Sequence, residues 1–490
     1  MLVEVEPGPA RGPMTGIMVD ELPKQQSREP ASMPAATMAR PVRTAGSAYA
    51  SLWRLDPAVT FLNHGSYGAV PESVRAEHAE IRARMEREPV RFFKVDLERL
   101  MDEAREAIGR FIDCDPMCLA PVANATIALC TVFANIDFRP GDEVVVTDHE
   151  YSSGVNELQR IAAKTGIRIV TARIPFPAPS SDWITRAVED CLTSRTRLVM
   201  VSQITSCTSL ILPVKDIVER CRARGIDTLV DGTHAPGQIP VSVREIDPTY
   251  FVGSGHKWMC APKGTGFMYV HPSRQASFRT LALSSRAAKV RHDRALFLRD
   301  FDYMGTDDYS NILAMVPAMR FIATLMSDQA PGTSADTPSA SSASAPAAGG
   351  ESAALDRLYA ANHDLVLRGR DIVAAAIAPF LGPRAPLLNP PARDDRVARG
   401  TGSMTTLVLP DEPAGTPVRP TLYDDPLQDA LVERHAIVVP IWRFSATNQR
   451  VLRISAQVYN TIEQYQALAN ALTHELAREL DLAGGIGPRA

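Results

Sequence analysis

The sequence predicts an α/β protein: a largely parallel sheet covered by helices on both faces, with a smaller α+β domain at the C-terminal end. Short apolar runs of strand length alternate with amphipathic helical stretches from about Glu72 to Val270. A low-complexity stretch rich in Ser, Ala, Pro and Gly then breaks the pattern over 327–352. Beyond it a helix, several strands and a final helix return. At 490 residues there is room for one large and one small domain.

Taken in order, residues 1–45 are rich in Pro, Ala, Met and charge with no continuous apolar core, so they read as a disordered extension without a signal peptide. The large domain is expected over 46–326, its N-terminal segment contributing to the small domain. Phe61 to Pro71 is Gly-rich and reads as turn rather than long helix. Helices follow at Glu72 to Glu88, near Asp96 to Ile112 and after Asn124. Pro140-Gly141-Asp142 then turns the chain into a strand at Glu143 to Thr147. Further strands are expected at Ile167 to Ala172, Leu198 to Ile204, Asp227 to Val230, Tyr250 to Val252 and Gly266 to Val270, with a helix at Lys215 to Arg224 stopped by Gly225. The stretch 327–352 cannot bury enough apolar surface to order itself and is read as a flexible insertion. The small domain, 353–490, carries strands at Ser403 to Leu409, Ile437 to Pro440 and Arg450 to Ile454, and a helix from Ile462 to Leu480.

Composition excludes several classes. A net charge of −4, with arginines interleaved with acids, is a solvated helix face rather than a nucleic-acid surface. No run of eighteen apolar residues predicts a membrane span. The seven cysteines are dispersed and odd in number, which favours reduced thiols, a cytoplasmic address and no metal site.

The chemistry concentrates in Phe251-Val-Gly-Ser-Gly-His-Lys257, where a strand-like run ends on a histidine and a lysine, and in Asp231, which closes another apolar run. A lysine able to form a Schiff base and an aspartate able to pair with a pyridinium nitrogen are what pyridoxal 5′-phosphate needs most. By itself Ser-x-His-Lys is equally a solvated loop. The context favours a site: Tyr151, Ser206, Asp231 and Lys257 all follow predicted strands, and ligands of open α/β sheets gather beyond the strands' carboxyl ends.

On these residues the chain resembles the class V aminotransferase group of fold-type I pyridoxal phosphate enzymes, and within it the isopenicillin N epimerase-like branch. The resemblance runs from about Phe61 to Leu480. It rests on Phe61-Leu-Asn-His-Gly-Ser-Tyr-Gly68, Asn124-Ala-Thr126, Asp148-His-Glu-Tyr151, Val230-Asp-Gly-Thr-His-Ala-Pro-Gly237, Ser254-Gly-His-Lys257, Gly305-Thr306 and Arg453-Ile-Ser-Ala-Gln-Val-Tyr-Asn460, in that order. It implies that Lys257 is the Schiff-base lysine, that Asp231 partners the pyridine nitrogen and that His234 lies near the ring hydroxyl. Ala125 and Thr126 would meet the phosphate at a helix start, where N–H groups are unpaired, although Asn124-Ala-Thr also serves as a plain helix cap. Ser254 and His256 would reach the same phosphate, and Tyr151 would cover the ring. Thr306 would contact a neighbouring subunit's phosphate, which implies a homodimer with shared sites. Ser206 stands where some relatives have asparagine.

The resemblance also implies a small amino-acid substrate. Arg453 is the candidate for its α-carboxylate, because a guanidinium matches a carboxylate and this one sits in an apolar strand-like run. Asn63 would assist, and Arg91 is a weaker candidate for a second substrate anion. A desulfurase needs a nucleophilic cysteine in the C-terminal part, and the last cysteine is Cys260. Epimerisation or racemisation at the α-carbon is the leading expectation, with Lys257 and Tyr151 as catalytic groups. β-Elimination by a C–S lyase, transamination, and a catalytically lapsed binding protein are the alternatives.

Overall fold

The structure is a computed structural model that describes residues 46–289, 291–327, 348–381, 400–413, 421–423 and 425–484. The expected N-terminal extension, 1–45, and most of the expected insertion, 327–352, lie outside the described residues. One boundary is corrected: the helix Ala348–Ile377 begins inside the stretch expected to be low-complexity loop.

The strands in chain order are β1 (Thr60–Phe61), β2 (Leu119–Val122), β3 (Glu143–Thr147), β4 (Arg168–Ala172), β5 (Thr196–Ser202), β6 (Asp227–Asp231), β7 (Tyr250–Ser254), β8 (Gly266–Val270), β9 (Met404–Val408), β10 (Ile437–Val438), β11 (Ile441–Phe444) and β12 (Gln449–Ser455). Seven of them form the central sheet in the order β2-β8-β7-β6-β5-β3-β4. The pairs among β3 to β7 are parallel, whereas β8 runs antiparallel to both β7 and β2. This is the fold-type I α/β architecture.

Both faces of the sheet are buried, which is why its strands read as continuous apolar runs rather than as alternation. Val145, Val199, Val201, Val230 and Phe251 join one core, while Val144, Val146, Leu198, Met200, Leu229 and Val252 join the other. Successive side chains on a strand point to opposite faces, so each strand feeds both cores.

The C-terminal part packs a three-stranded antiparallel sheet, β11-β12-β9, against the helices Ala348–Ile377 and Ile462–Gly484 around a third core. The N-terminal segment reaches into it: β1 pairs in parallel with β10, and Leu62 is buried in that core. The segment then makes a single helical turn, His64–Tyr67, consistent with the turn-rich reading of its sequence.

Candidate active site

Strands β2, β3, β5, β6 and β7 run in the same direction, so their carboxyl ends share one edge of the sheet. An open cavity of about 640 Å³ lies there, and Ala125, Thr126, Tyr151, Ser206, Asp231, His234, Ser254, His256 and Lys257 line it. Nine positions spread over more than a hundred residues of sequence thus meet at one place.

Each is held for a local reason. Asp231 ends β6, is buried, and accepts the Thr233 N–H at 2.9 Å. Lys257 follows β7 in a loop braced by two glycines that a side chain would ruin. A Cβ on Gly68, at φ +66°, would lie 2.2 Å from the His256 carbonyl oxygen, and one on Gly237, at φ +86°, 2.4 Å from that of Trp258. Both backbones occupy the left-handed region that favours glycine. Ala125 and Thr126 open the helix Ala125–Ala134, whose cap Asn124 accepts the Ile127 N–H at 2.9 Å. That leaves the first two helical N–H groups facing the cavity without intrahelical partners. Ser254 Oγ lies 3.1 Å from His256 Nδ1 across the same corner.

Electrostatics set the lysine apart. Burial first, and then the Arg453 charge, push the Lys257 amine down to about 7, with Asp231 opposing. Its Nζ stands 3.0 Å from His234 Nε2 and 5.9 Å from the centre of the Tyr151 ring. Burial, reinforced by the Lys257, Arg453 and His256 charges, holds His234 neutral, well below its ordinary value. Tyr151 itself is half-exposed over the cavity, at 52%.

Arg453 lies just behind the cavity wall. It is 1% exposed, on β12, and donates to the Ser206 carbonyl at 2.8 Å, to Ser66 Oγ at 2.8 Å and to Asn63 Oδ1 at 3.4 Å. Ser66 and Ser206 are wall residues, so a thin layer of hydroxyl separates the guanidinium from the cavity. Among the described residues no carboxylate pairs with it, its Nε has no partner, and burial lowers it to about 10. Ser206 is therefore bonded to Arg453 as well as lining the cavity.

Arg91 is not brought to this cavity, and Thr306, expected at a neighbouring subunit's phosphate, does not line it. Arg91 is exposed at the end of the short helix Pro89–Arg91 and is not among the lining residues, which removes the geometric basis for a second anion contact within this chain. Thr306 sits on an exposed turn, bonded to the Tyr303 hydroxyl at 2.6 Å.

Others were missed by sequence reasoning. His64 Nε2 donates to the Lys257 carbonyl at 3.1 Å while its Nδ1 accepts from the Tyr459 hydroxyl at 2.9 Å, so the N-terminal segment clamps the lysine's backbone. Glu150 receives the Ser202 hydroxyl at 2.5 Å and the Thr147 hydroxyl at 2.6 Å. Although half-buried as a residue, its carboxyl is shielded from water, and burial together with the nearby Asp231 charge pushes it up to about 7. Thr233 Oγ1 is buried in the lining without a partner. Only the motif context of His64 and Glu150 hinted at them.

An amine held near neutrality, a buried carboxylate, anion-binding N–H and hydroxyl groups at a helix start, and an orphaned hydroxyl are a donor set that fits pyridoxal 5′-phosphate. Fold and site thus define a fold-type I pyridoxal phosphate enzyme. A family model described as aminotransferase class-V matches residues 68–334, and the chain belongs to that family. It is 34% identical to isopenicillin N epimerase of Streptomyces clavuligerus over 281 residues, covering 55% of this chain and 71% of that protein. To putative L-cysteine desulfhydrase 2 of Oryza sativa subsp. japonica it is 26% identical over 463 residues, covering 86% and 85%. Its fold matches the cysteine desulfurase CsdA of Escherichia coli at a TM-score of 0.64 and 17% identity, over 89% of this chain and 98% of that one. No helix among the described residues is long and apolar enough to cross a membrane.

Proposed function

We propose that this chain acts at the α-carbon of an amino acid as an epimerase or racemase, with Lys257 as the covalent and proton-carrying lysine. The observation that carries the reading is the pairing, at one cavity, of a near-neutral lysine with a buried arginine that has no carboxylate partner among the described residues. When bound, pyridoxal 5′-phosphate supplies an electron sink for a bond broken at the α-carbon. Asp231 would hold the ring nitrogen, Ala125, Thr126, Ser254 and His256 the phosphate, and Tyr151 the ring face.

The protein's own groups do the rest. A substrate α-carboxylate takes the edge of Arg453 now held by the hydroxyls of Ser66 and Ser206, with Asn63 alongside. This fixes which substituent of the α-carbon faces Lys257. The lysine Nζ, whose uncharged form is well populated near pH 7, accepts the α-proton. Inversion needs a second proton donor, and Tyr151, whose ring centre lies 5.9 Å from Nζ, is the candidate.

Desulfurase chemistry is opposed by the one thiol near Arg453. Burial pushes Cys207 up to about 11 against the opposing Trp442 indole N–H and the Arg453 charge, so it is a poor nucleophile at neutral pH. β-Elimination remains the second reading, favoured by the similarity to L-cysteine desulfhydrases along most of the chain.

A homodimer belongs to the same proposal. Tyr67, at the cavity wall, and Val90 and Val95 are 71%, 73% and 63% exposed in the single chain, apolar area suited to a second copy. All seven cysteines are free thiols, which supports a cytoplasmic address. The role of Lys257 is tested by borohydride reduction of the loaded protein and peptide mass analysis. The cofactor mass should sit on Lys257, and Lys257→Ala should lose both it and turnover; a mass found on another lysine contradicts the assignment.

A further inference from the structure

The hydrogen-bond chain Trp258–His234–Lys257 runs through the base of the cavity. Trp258 is fully buried, and its Nε1–H donates to His234 Nδ1 at 3.4 Å; on the other side of the ring, His234 Nε2 lies 3.0 Å from Lys257 Nζ. An indole N–H only donates, and a neutral imidazole has one donor and one acceptor nitrogen. If Nδ1 accepts from Trp258, the histidine proton is on Nε2, directed at the lysine nitrogen, which must then offer a lone pair. A charged lysine would instead need a lone pair on Nε2 and a proton on Nδ1, setting two donors head to head in a site where His234 is 3% exposed.

We propose that Trp258 is a positioning residue: its indole N–H fixes His234 as the Nε2–H tautomer, and that tautomer keeps Lys257 an uncharged, nucleophilic amine. The other groups facing the pair are Arg453 and His256, which disfavour a second positive charge, Asp231, which favours it, and the Tyr151 ring. Position is enforced from both sides. Gly237 packs on the Trp258 carbonyl, and the His64 ring lies 5.1 Å from the indole. Because His234 lines the cavity, the same tautomer presents a donor to any ligand oxygen that takes the place of the lysine nitrogen.

The inference rests on the reading of Lys257 as the reactive lysine for its purpose, not for its geometry, and the two are tested separately. In the full-length, cofactor-free chain, NMR of isotope-labelled histidine, with His234 assigned through His234→Gln, reads the tautomer. Amine labelling of Lys257 against pH, read by peptide mass, gives its ionisation midpoint. The wild type should show Nε2–H. Trp258→Phe should bring in Nδ1–H and raise the Lys257 midpoint by about one pH unit, the scale of one hydrogen bond to a charged group. Replacing the indole by the isosteric benzothiophene, which lacks the N–H but keeps the volume, should give the same shift. An Nδ1–H wild type, or an unchanged midpoint in the benzothiophene protein, overturns the proposal. Failure of the lysine assignment would show instead as cofactor attachment that survives Lys257→Ala.

Discussion

Arg450 and Arg453 sit three residues apart on β12, point to opposite faces of the strand, and are both buried, yet among the described residues only the first has carboxylate partners. Arg450 donates to Asp425 at 2.8 Å and to Glu479 at 2.9 Å. Among the described residues Arg453 has neutral oxygen acceptors alone, and the Trp442 ring lies 5.1 Å from its guanidinium carbon. Burying a charge without a counter-ion is costly, so a fold that retains one beside a cavity is set up to receive an anion there.

Arg453→Met should therefore separate binding from stability. The Michaelis constant for the amino-acid substrate should rise at least about 100-fold, because charge-assisted hydrogen bonds to the carboxylate are lost. Thermal unfolding of the substrate-free protein should occur at an unchanged or higher temperature. A large drop in melting temperature would show that the guanidinium is structural.

Arg450→Met should do the reverse. Removing the cation leaves Asp425 and Glu479 uncompensated, at a cost on the order of 3 kcal/mol in urea unfolding. The Michaelis constant of whatever protein remains folded should stay near that of the wild type.

Glu150 gives a pH signature. Its folded value, about 7, lies above the ordinary 4.5, so the native state holds a proton that the unfolded state releases between these limits. Its contribution to stability is fully present below pH 4.5 and is lost as pH rises through 7. Glu150→Gln should hence stabilise the cofactor-free protein, relative to wild type, by about 3 kcal/mol more at pH 8 than at pH 4.5. Parallel stability curves for the two proteins across that range would rule this out.

Lys257 has the opposite displacement, from 10.5 down to about 7. Only the uncharged amine attacks an aldehyde, so the rate of pyridoxal phosphate capture by the cofactor-free chain should climb with pH and level off above about 7. Stopped-flow absorbance measures it; a rate still climbing steeply at pH 9 would mean an ordinary lysine.

Much of the site was legible because sheet topology does the gathering. Asp231 and Lys257 each follow an apolar run, and parallel strands deliver such positions to one edge whatever their separation in sequence. Contacts between distant segments were not legible. Nothing local to His64 announces that it will hold the carbonyl of Lys257, or that Trp258 will reach the ring of His234. The strand β2 was missed because Pro121 within Leu119–Val122 speaks against a strand. The helix that begins at Ala348 runs through Gly349 and Gly350, which local propensity alone would count against it. Arg91 does not line the cavity of the single chain, and Thr306 was expected at a neighbouring subunit's site.

The most direct test of the central claim is to incubate the cofactor-loaded protein with a panel of amino acids in deuterated water and follow the α-position and the products by NMR. Deuterium at the α-carbon of a surviving, inverted amino acid is the predicted result. A keto acid formed with loss of sulfur or nitrogen, and no inverted amino acid, would contradict epimerisation and assign the site to elimination or transamination.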